Sequence, residues 1–233
     1  MRAWLGWLAL VAWPLAAFGR AQPPGRPVLP PAWSWPPSQA LRERGRACLE
    51  RLTAAGVEWR AGRETRKVAT PITLARFQLG GVTWRSRLGA AGVMDCFLAE
   101  ALLVHAAPAL RSVGVREVVF GSIWKYRNVS GKRLLSRHAL GLAMDVYSLI
   151  TDDGVEHVVE HGYPAGDVLL RDAERALVAT GGFRMVLGPA NDPGPHDDHF
   201  HIEALTPDDH VATPAPLFWL PRGVAVAVPG AWP

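Results

Sequence analysis

Residues 196–201 read HDDHFH, placing three of the chain's eight histidines and two aspartates around Phe200. A solvated polar loop accounts for His196, Asp197 and Asp198. It does not account for Phe200 and Ile202 alternating with His199 and His201, which is the period of a β-strand. On such a strand Phe200 and Ile202 face a core, and the two imidazoles look into one volume. A second stretch, SRHALGLAMDV at 136–146, sets His138 seven residues before Asp145, with Gly141 between them as the place for a bend. Asp145 shares a strand face with Ala143, a small neighbour that leaves room beside the carboxylate. An imidazole from the turn and a carboxylate on the strand can converge on one cation, and a histidine from 199–201 makes two His and one Asp. Three protein ligands with an open fourth position are the pattern of catalytic zinc. The same residues would also build a polar core network without a metal, and His199 as a fourth ligand would close the site into a structural one.

The other histidines carry weaker signals. His157 to His161 reads HVVEH, formally the H-x-x-E-H pattern of one group of zinc peptidases. That chemistry needs a helix to bring both rings to one side. A turn before it, two valines inside and Gly-Tyr-Pro after it favour a strand, so the match is a decoy. His105 falls within an apolar helix as a core histidine, and His210 in a Pro-rich tail is solvated.

The elements that would position the cluster follow from periodicity. Ser38 caps a helix running to about Ala55. Strands are expected at Val57–Arg60 and Val68–Phe77. Asp95 to Leu110 reads as a core helix with Phe97, Ala101, Val104 and Ala107 on one face and Pro108 near its end. VREVVFGSIW (115–124) and GLAMDVYSL (141–149) are strands, and Asp153-Gly154 turns the latter into Val155–Val159. A helix over Asp167–Ala179 ends at Gly181-Gly182, and FRMVL (183–187) and HFHIEA (199–204) are further strands. Helices and short strands without a βαβ rhythm predict a single α+β domain, a small, mostly antiparallel sheet with flanking helices.

The chain has 233 residues, 49% of them hydrophobic and 20% charged, enough for one well-buried domain plus appendages. The net charge of +4 suits an anionic setting such as cell-wall polymer or a membrane surface. The basic residues are scattered and not interleaved with aromatics, so no nucleic-acid partner is expected. Residues 1–21 join Arg2 to an uncharged apolar run, Ala3 to Phe18, that falls short of the about 20 residues of a membrane span. This is a signal peptide, or a short anchor if uncleaved, which would be the only contact with a membrane. Residues 22–37 hold seven prolines and read as a semi-extended linker. The domain is expected over 38–206, with a Pro-rich tail over 207–233. Cys48 and Cys96 are the only cysteines. Export favours a disulfide between them over two buried thiols.

The paired motifs SxHxxGxAxD and HxxHxH resemble those of zinc peptidases that share the D-Ala-D-Ala carboxypeptidase, lysostaphin and Hedgehog-type fold. HDDHFH is similar to the corresponding stretch of penicillin-insensitive murein endopeptidase. The span from about Cys48 to Glu203 resembles more closely the bacterial extensin-like C-terminal domain. There an SEHAFGNAIDI-type stretch precedes VLGP and a histidine-rich end; here SRHALGLAMDV, VLGP at 186–189 and HDDHFH follow in that order.

The resemblance implies a Hedgehog/D-Ala-D-Ala peptidase-like fold, with His138, Asp145 and His201 as Zn2+ ligands. It implies His199 as the neighbour that handles protons or steadies an oxyanion, and His196 as a further active-site histidine. Arg127 stands near where relatives place an arginine that contacts a substrate carbonyl or carboxylate. Ser136 and Asp197 or Asp198 would orient the ligand imidazoles from outside. Two cysteines of the extensin-like pattern are missing together, at Tyr126 and around Ala176–Ala179, which leaves Cys48 with Cys96 as the remaining pair. A glutamate of the pattern is Arg137 here, a change expected to bear on substrate preference. The function so implied is a monomeric, exported, periplasmic or secreted bacterial zinc peptidase acting on peptidoglycan stem peptides or cross-links. The alternative is a non-catalytic wall-associated domain that keeps the metal for binding or stability.

Overall fold

A computed structural model describes residues 28–30, 33–63, 65–89, 92–206 and 209. The expected signal or anchor segment, the first part of the linker, and His210 with the rest of the tail lie outside the described residues.

Helix α1 (Gln39–Ala54) begins where Ser38 Oγ accepts the Leu41 N–H. It buries Leu41, Gly45, Cys48 and Leu52, a stripe at helical spacing. Gly45 lets it lie close to the sheet that follows, since a Cβ there would stand 2.1 Å from Thr70 Oγ1. Cys48 on this face is bonded to Cys96, across a sequence separation of 48. Closing a loop of that length stabilises the fold by about 4 kcal/mol in the chain-entropy model.

Strands β1 (Trp59–Ala61), β2 (Pro71–Leu74) and β5 (Met94–Asp95) form a three-stranded antiparallel sheet. The main sheet has seven strands, ordered β3 (Gln78–Leu79), β4 (Val82–Ser86), β6 (Val115–Phe120), β7 (Ala143–Thr151), β10 (Phe200–Ala204) and β9 (Phe183–Leu187), with β8 (Glu156–Val158) also paired to β7. Among the described strands only β4 with β6 is a parallel pair. The fold is thus α+β and mostly antiparallel, but it carries two sheets where one small sheet was expected. The β3–β4 hairpin was missed because its strands are short, with polar Gln78 and Thr83 among them.

The predicted core helix is composite: α2 (Cys96–Ala101), a π-helical segment (Leu102–Ala106) and α3 (Ala107–Ser112). The Ala107 N–H reaches back to the Leu102 carbonyl, a wider turn than the α-helix makes. That turn shifts the face, so Leu102 and Ala106 are buried while Val104, expected inside, is exposed. It immediately precedes Pro108, which has no N–H to donate, and the helix continues past the proline to Ser112. Helix α4 (Val159–Gly162) is a single turn, and α5 (Val168–Ala179) is capped by Asp167.

The prolines at 22–37 suggest a free linker, yet its described part lies on the domain. The Val28 N–H donates to Arg133 O at 2.9 Å and the Leu135 N–H to Val28 O at 2.8 Å. Trp33 is buried, with its indole N–H donating to Lys67 O at 3.2 Å. Among the described residues one contiguous hydrophobic cluster runs from Trp33 to Ala204. No helix among them is long and apolar enough to cross a membrane.

Candidate metal centre

Strand β10 pairs with β7 so that His201 stands opposite Asp145, and Phe200 opposite Val146. Directly opposed side chains point to one face of a sheet, so register alone brings imidazole and carboxylate together. A slip of one residue would turn His201 into the core and Phe200 out. Phe200 and Ile202 are buried on the other face, which fixes the register.

His138 arrives from a 3-10 turn (Arg137–Leu140) capped by Ser136, whose Oγ accepts the His138 backbone N–H at 3.3 Å. Gly141 ends that turn with φ of 68°, and a Cβ there would lie 2.8 Å from the Asp95 backbone nitrogen. Both facts demand glycine. Residues 121–123, just after β6, brace both His138 and Asp145. The Gly121 N–H donates to Asp145 O at 2.8 Å, and the Asp145 N–H to Ser122 O at 3.2 Å. The His138 Nδ1–H donates to the Ile123 carbonyl at 2.9 Å. A carbonyl can only accept, so the proton is on Nδ1 and Nε2 presents a lone pair.

That lone pair faces Asp145 Oδ1 at 3.0 Å and His201 Nδ1 at 3.2 Å, and His201 Nδ1 lies 2.9 Å from the same Oδ1. His201 Nε2 is taken by Glu203 Oε1 at 3.2 Å. Three buried donor atoms therefore crowd together, each ring backed by an acceptor on its far side. Crowded acceptors repel unless a cation or protons lie among them. Four-coordinate zinc with bonds of about 2.0–2.1 Å has ligand atoms roughly 3.3 Å apart, so the donor set fits such an ion after a small spreading.

The electrostatics point the same way. Burial acts to raise the Asp145 pKa, but the surrounding His138, His199 and His201 rings hold it far below the usual carboxylate range. Burial acts to lower His201, but Asp145 and Glu203 push it up to about 9. Burial acts to raise Glu203, and His201, Arg184 and Arg137 bring it down to about 2. A cluster that draws protons this strongly draws a divalent cation by the same field.

His199 lies beside this set. Its Nε2 is 3.4 Å from Asp145 Oδ1, and its Nδ1–H donates to Asp198 at 2.6 Å. His196 donates through Nδ1 to Asp192 at 2.7 Å and packs against His199 and His201. Asp198 thus orients His199, whereas Ser136 holds the backbone of His138 and not its ring. Asp197 accepts the Gly194 N–H at 2.8 Å and shapes the exposed loop. The Arg127 side chain is exposed, and its carbonyl accepts the Ser136 N–H at 3.0 Å. Arg127 and Arg87 act together on Tyr147, opposing the rise in its pKa caused by burial, Asp145 and Asp198. Arg137 does not face outward toward a substrate: its guanidinium is buried against Asp209.

Four contributors were missed. Glu203 was legible as the next step of the His199–His201 alternation, and it fills the space opposite Ala143. Asp192 precedes His196 by four residues. Tyr147, on the Asp145 face of β7, stands 5.3 Å from the His199 ring, with Arg87 over it at 4.2 Å. The Ile123 carbonyl has no side-chain signal at all. No curated protein matches this chain, and no solved structure does. Residues 46–211, well over half of the chain, match the family described as Extensin-like protein C-terminus, and the chain belongs to that family.

Proposed function

We propose that this chain is an exported zinc-dependent peptidase that hydrolyses peptide bonds of peptidoglycan, as an endopeptidase or a carboxypeptidase. The observation that carries the metal part is the convergence of His138, Asp145 and His201, with both rings locked by acceptors on their far sides. Such outer partners fix tautomer and orientation in metal-binding histidines. The likeness of the two motifs to those of zinc peptidases supports the reaction class.

His138, Asp145 and His201 would hold the ion, one carboxylate leaving a net positive centre. Bound there, zinc supplies Lewis acidity toward a peptide carbonyl and lowers the pKa of water to about 7. His199 would take a proton at Nε2 and return it to the leaving amine; its Nδ1–H donating to Asp198 supports that role. Arg127 and Arg87, exposed cations that both act on Tyr147, would steer the carbonyl or carboxylate of a stem peptide. The Cys48–Cys96 disulfide supports an oxidising compartment outside the cytoplasm. The net charge of +4 suits an anionic wall polymer.

A second reading, a non-catalytic wall-associated domain with a structural metal, draws on His199. At 3.4 Å from Asp145 Oδ1 its Nε2 is near enough to close the site as a fourth ligand. One experiment separates the two. Zinc-loaded protein and its His199→Ala variant are incubated with purified peptidoglycan, and soluble fragments are identified by mass spectrometry. The peptidase reading expects fragments from the first and few from the second. Stoichiometric zinc with no fragments from either protein contradicts it and leaves the wall-associated domain.

A further inference from the structure

Two groups of possible metal ligands meet in this volume. One is His138, Asp145 and His201, the other His196, His199 and His201, and within each group the ligand atoms lie within 4.8 Å of one another. The first group is the floor of the site, its His138 side chain wholly buried. The second is nearer the surface, with the His199 side chain 12% exposed and that of His196 15%. The His196 ring sits 5.0 Å from His199 and 5.3 Å from His201.

The outer imidazoles are prepared as ligands. His196 and His199 each give their Nδ1–H to a carboxylate, Asp192 and Asp198, which leaves Nε2 as the free donor. An imidazole backed by a carboxylate is oriented and made more basic, as metal-binding histidines are. Proton handling at a peptide bond needs one such imidazole, and His199 supplies it. His196 has the same backing, from Asp192.

We propose that His196, His199 and His201 form an outer receiving position for the divalent cation, which then passes to His138, Asp145 and His201. The proposal rests on the metal reading given above and extends it to how the site is filled. His201 Nε2 is engaged by Glu203, so Nδ1 is its one free donor and both positions need it. The two positions are therefore alternatives, and the chain holds one ion. The inner position holds it more tightly because Asp145 adds a full negative charge in a buried setting. On passing inward the ion exchanges two neutral imidazoles for His138 and that carboxylate.

Cobalt(II) is the probe, since its visible absorption reports the number and kind of ligands. The full metal-free chain is mixed with cobalt(II) in a stopped-flow instrument and the end point is titrated. Wild type is expected to bind one ion per chain in two phases. The His196→Gln/His199→Gln variant, altered near the rim, loses the fast phase and binds more slowly by about tenfold or more. The Asp145→Asn variant, which keeps the side-chain volume, retains the fast phase and loses the slow one. Two ions per chain, or an unchanged association rate in the outer variant, overturns the outer position while leaving the inner centre intact. A wild-type protein that binds neither cobalt nor zinc overturns both.

Discussion

Residues 157–161 and 196–201 each set histidines and acidic residues close together, and the fold treats them in opposite ways. In HVVEH, β8 stops at Val158 and α4 begins at Val159, so the two histidines lie on different elements. His157 Nδ1 goes to Asp167 at 2.7 Å, and the His161 side chain is 77% exposed. In HDDHFH the strand continues through Phe200, His201, Ile202 and Glu203, paired on both sides by β7 and β9. Its alternate residues are fixed to one face, opposite a carboxylate already held there. Histidine spacing does not make a site; a continuous strand in the middle of a sheet does.

The sharpest way to break this contrast is to remove one of the proposed ligands. Asp145→Ala is expected to weaken zinc binding roughly a hundredfold to a thousandfold, one ligand's share of the roughly 10–16 kcal/mol of a zinc site. Competition with a chromophoric chelator measures this, and an affinity within a few-fold of wild type would dissolve the distinction. Gly141→Ala strains the turn that delivers His138, through both its positive φ and the close Asp95 nitrogen. A loss of about 1–3 kcal/mol or more is expected in denaturant unfolding. Glu203→Gln keeps the shape but weakens the acceptor behind His201, with an expected 10–100-fold loss of zinc affinity by the same competition assay.

The smallest effects belong to the other stretch. His157→Gln and His161→Gln should leave zinc affinity within about twofold, since neither residue belongs to the cluster. His157→Gln should act instead on acid stability. Burial acts to raise the Asp167 pKa, but the hydrogen bond from His157, with backbone N–H groups of Leu170 and Leu169, brings the net shift downward. A carboxylate with a lowered pKa stabilises the fold above its ordinary value near 3.8, and the contribution is lost as pH falls through the lower folded value. The gap between wild type and variant in unfolding midpoint should therefore close on acidification.

Much of this was legible in the sequence, for physical reasons. Phe200 and Ile202 announced the strand, Ser38 and Asp167 the helix starts, and Gly141 the bend between His138 and Asp145. Periodicity failed where the backbone left ideal geometry. Val104 was placed in the core on a 3.6-residue period that the π turn before Pro108 displaces. Trp33 read as linker because prolines surround it, although one indole burying its area outweighs a local preference for extended chain. Of the candidate site, the side chains on regular strands could be inferred, including Glu203 had the alternation been followed one step further. The Ile123 carbonyl, which sets the tautomer of His138, belongs to the backbone of a loop and leaves no mark in residue type. Arg137, expected from the sequence to bear on substrate preference, is buried against Asp209, a pairing that only the tertiary fold reveals.

Anomalous diffraction at the zinc edge, from crystals of the zinc-loaded protein, tests the metal centre most directly. One peak per chain is expected within bonding distance, about 2.0–2.2 Å, of His138 Nε2, an Asp145 oxygen and His201 Nδ1. A peak at His157 or His161, or none between β7 and β10, would contradict it.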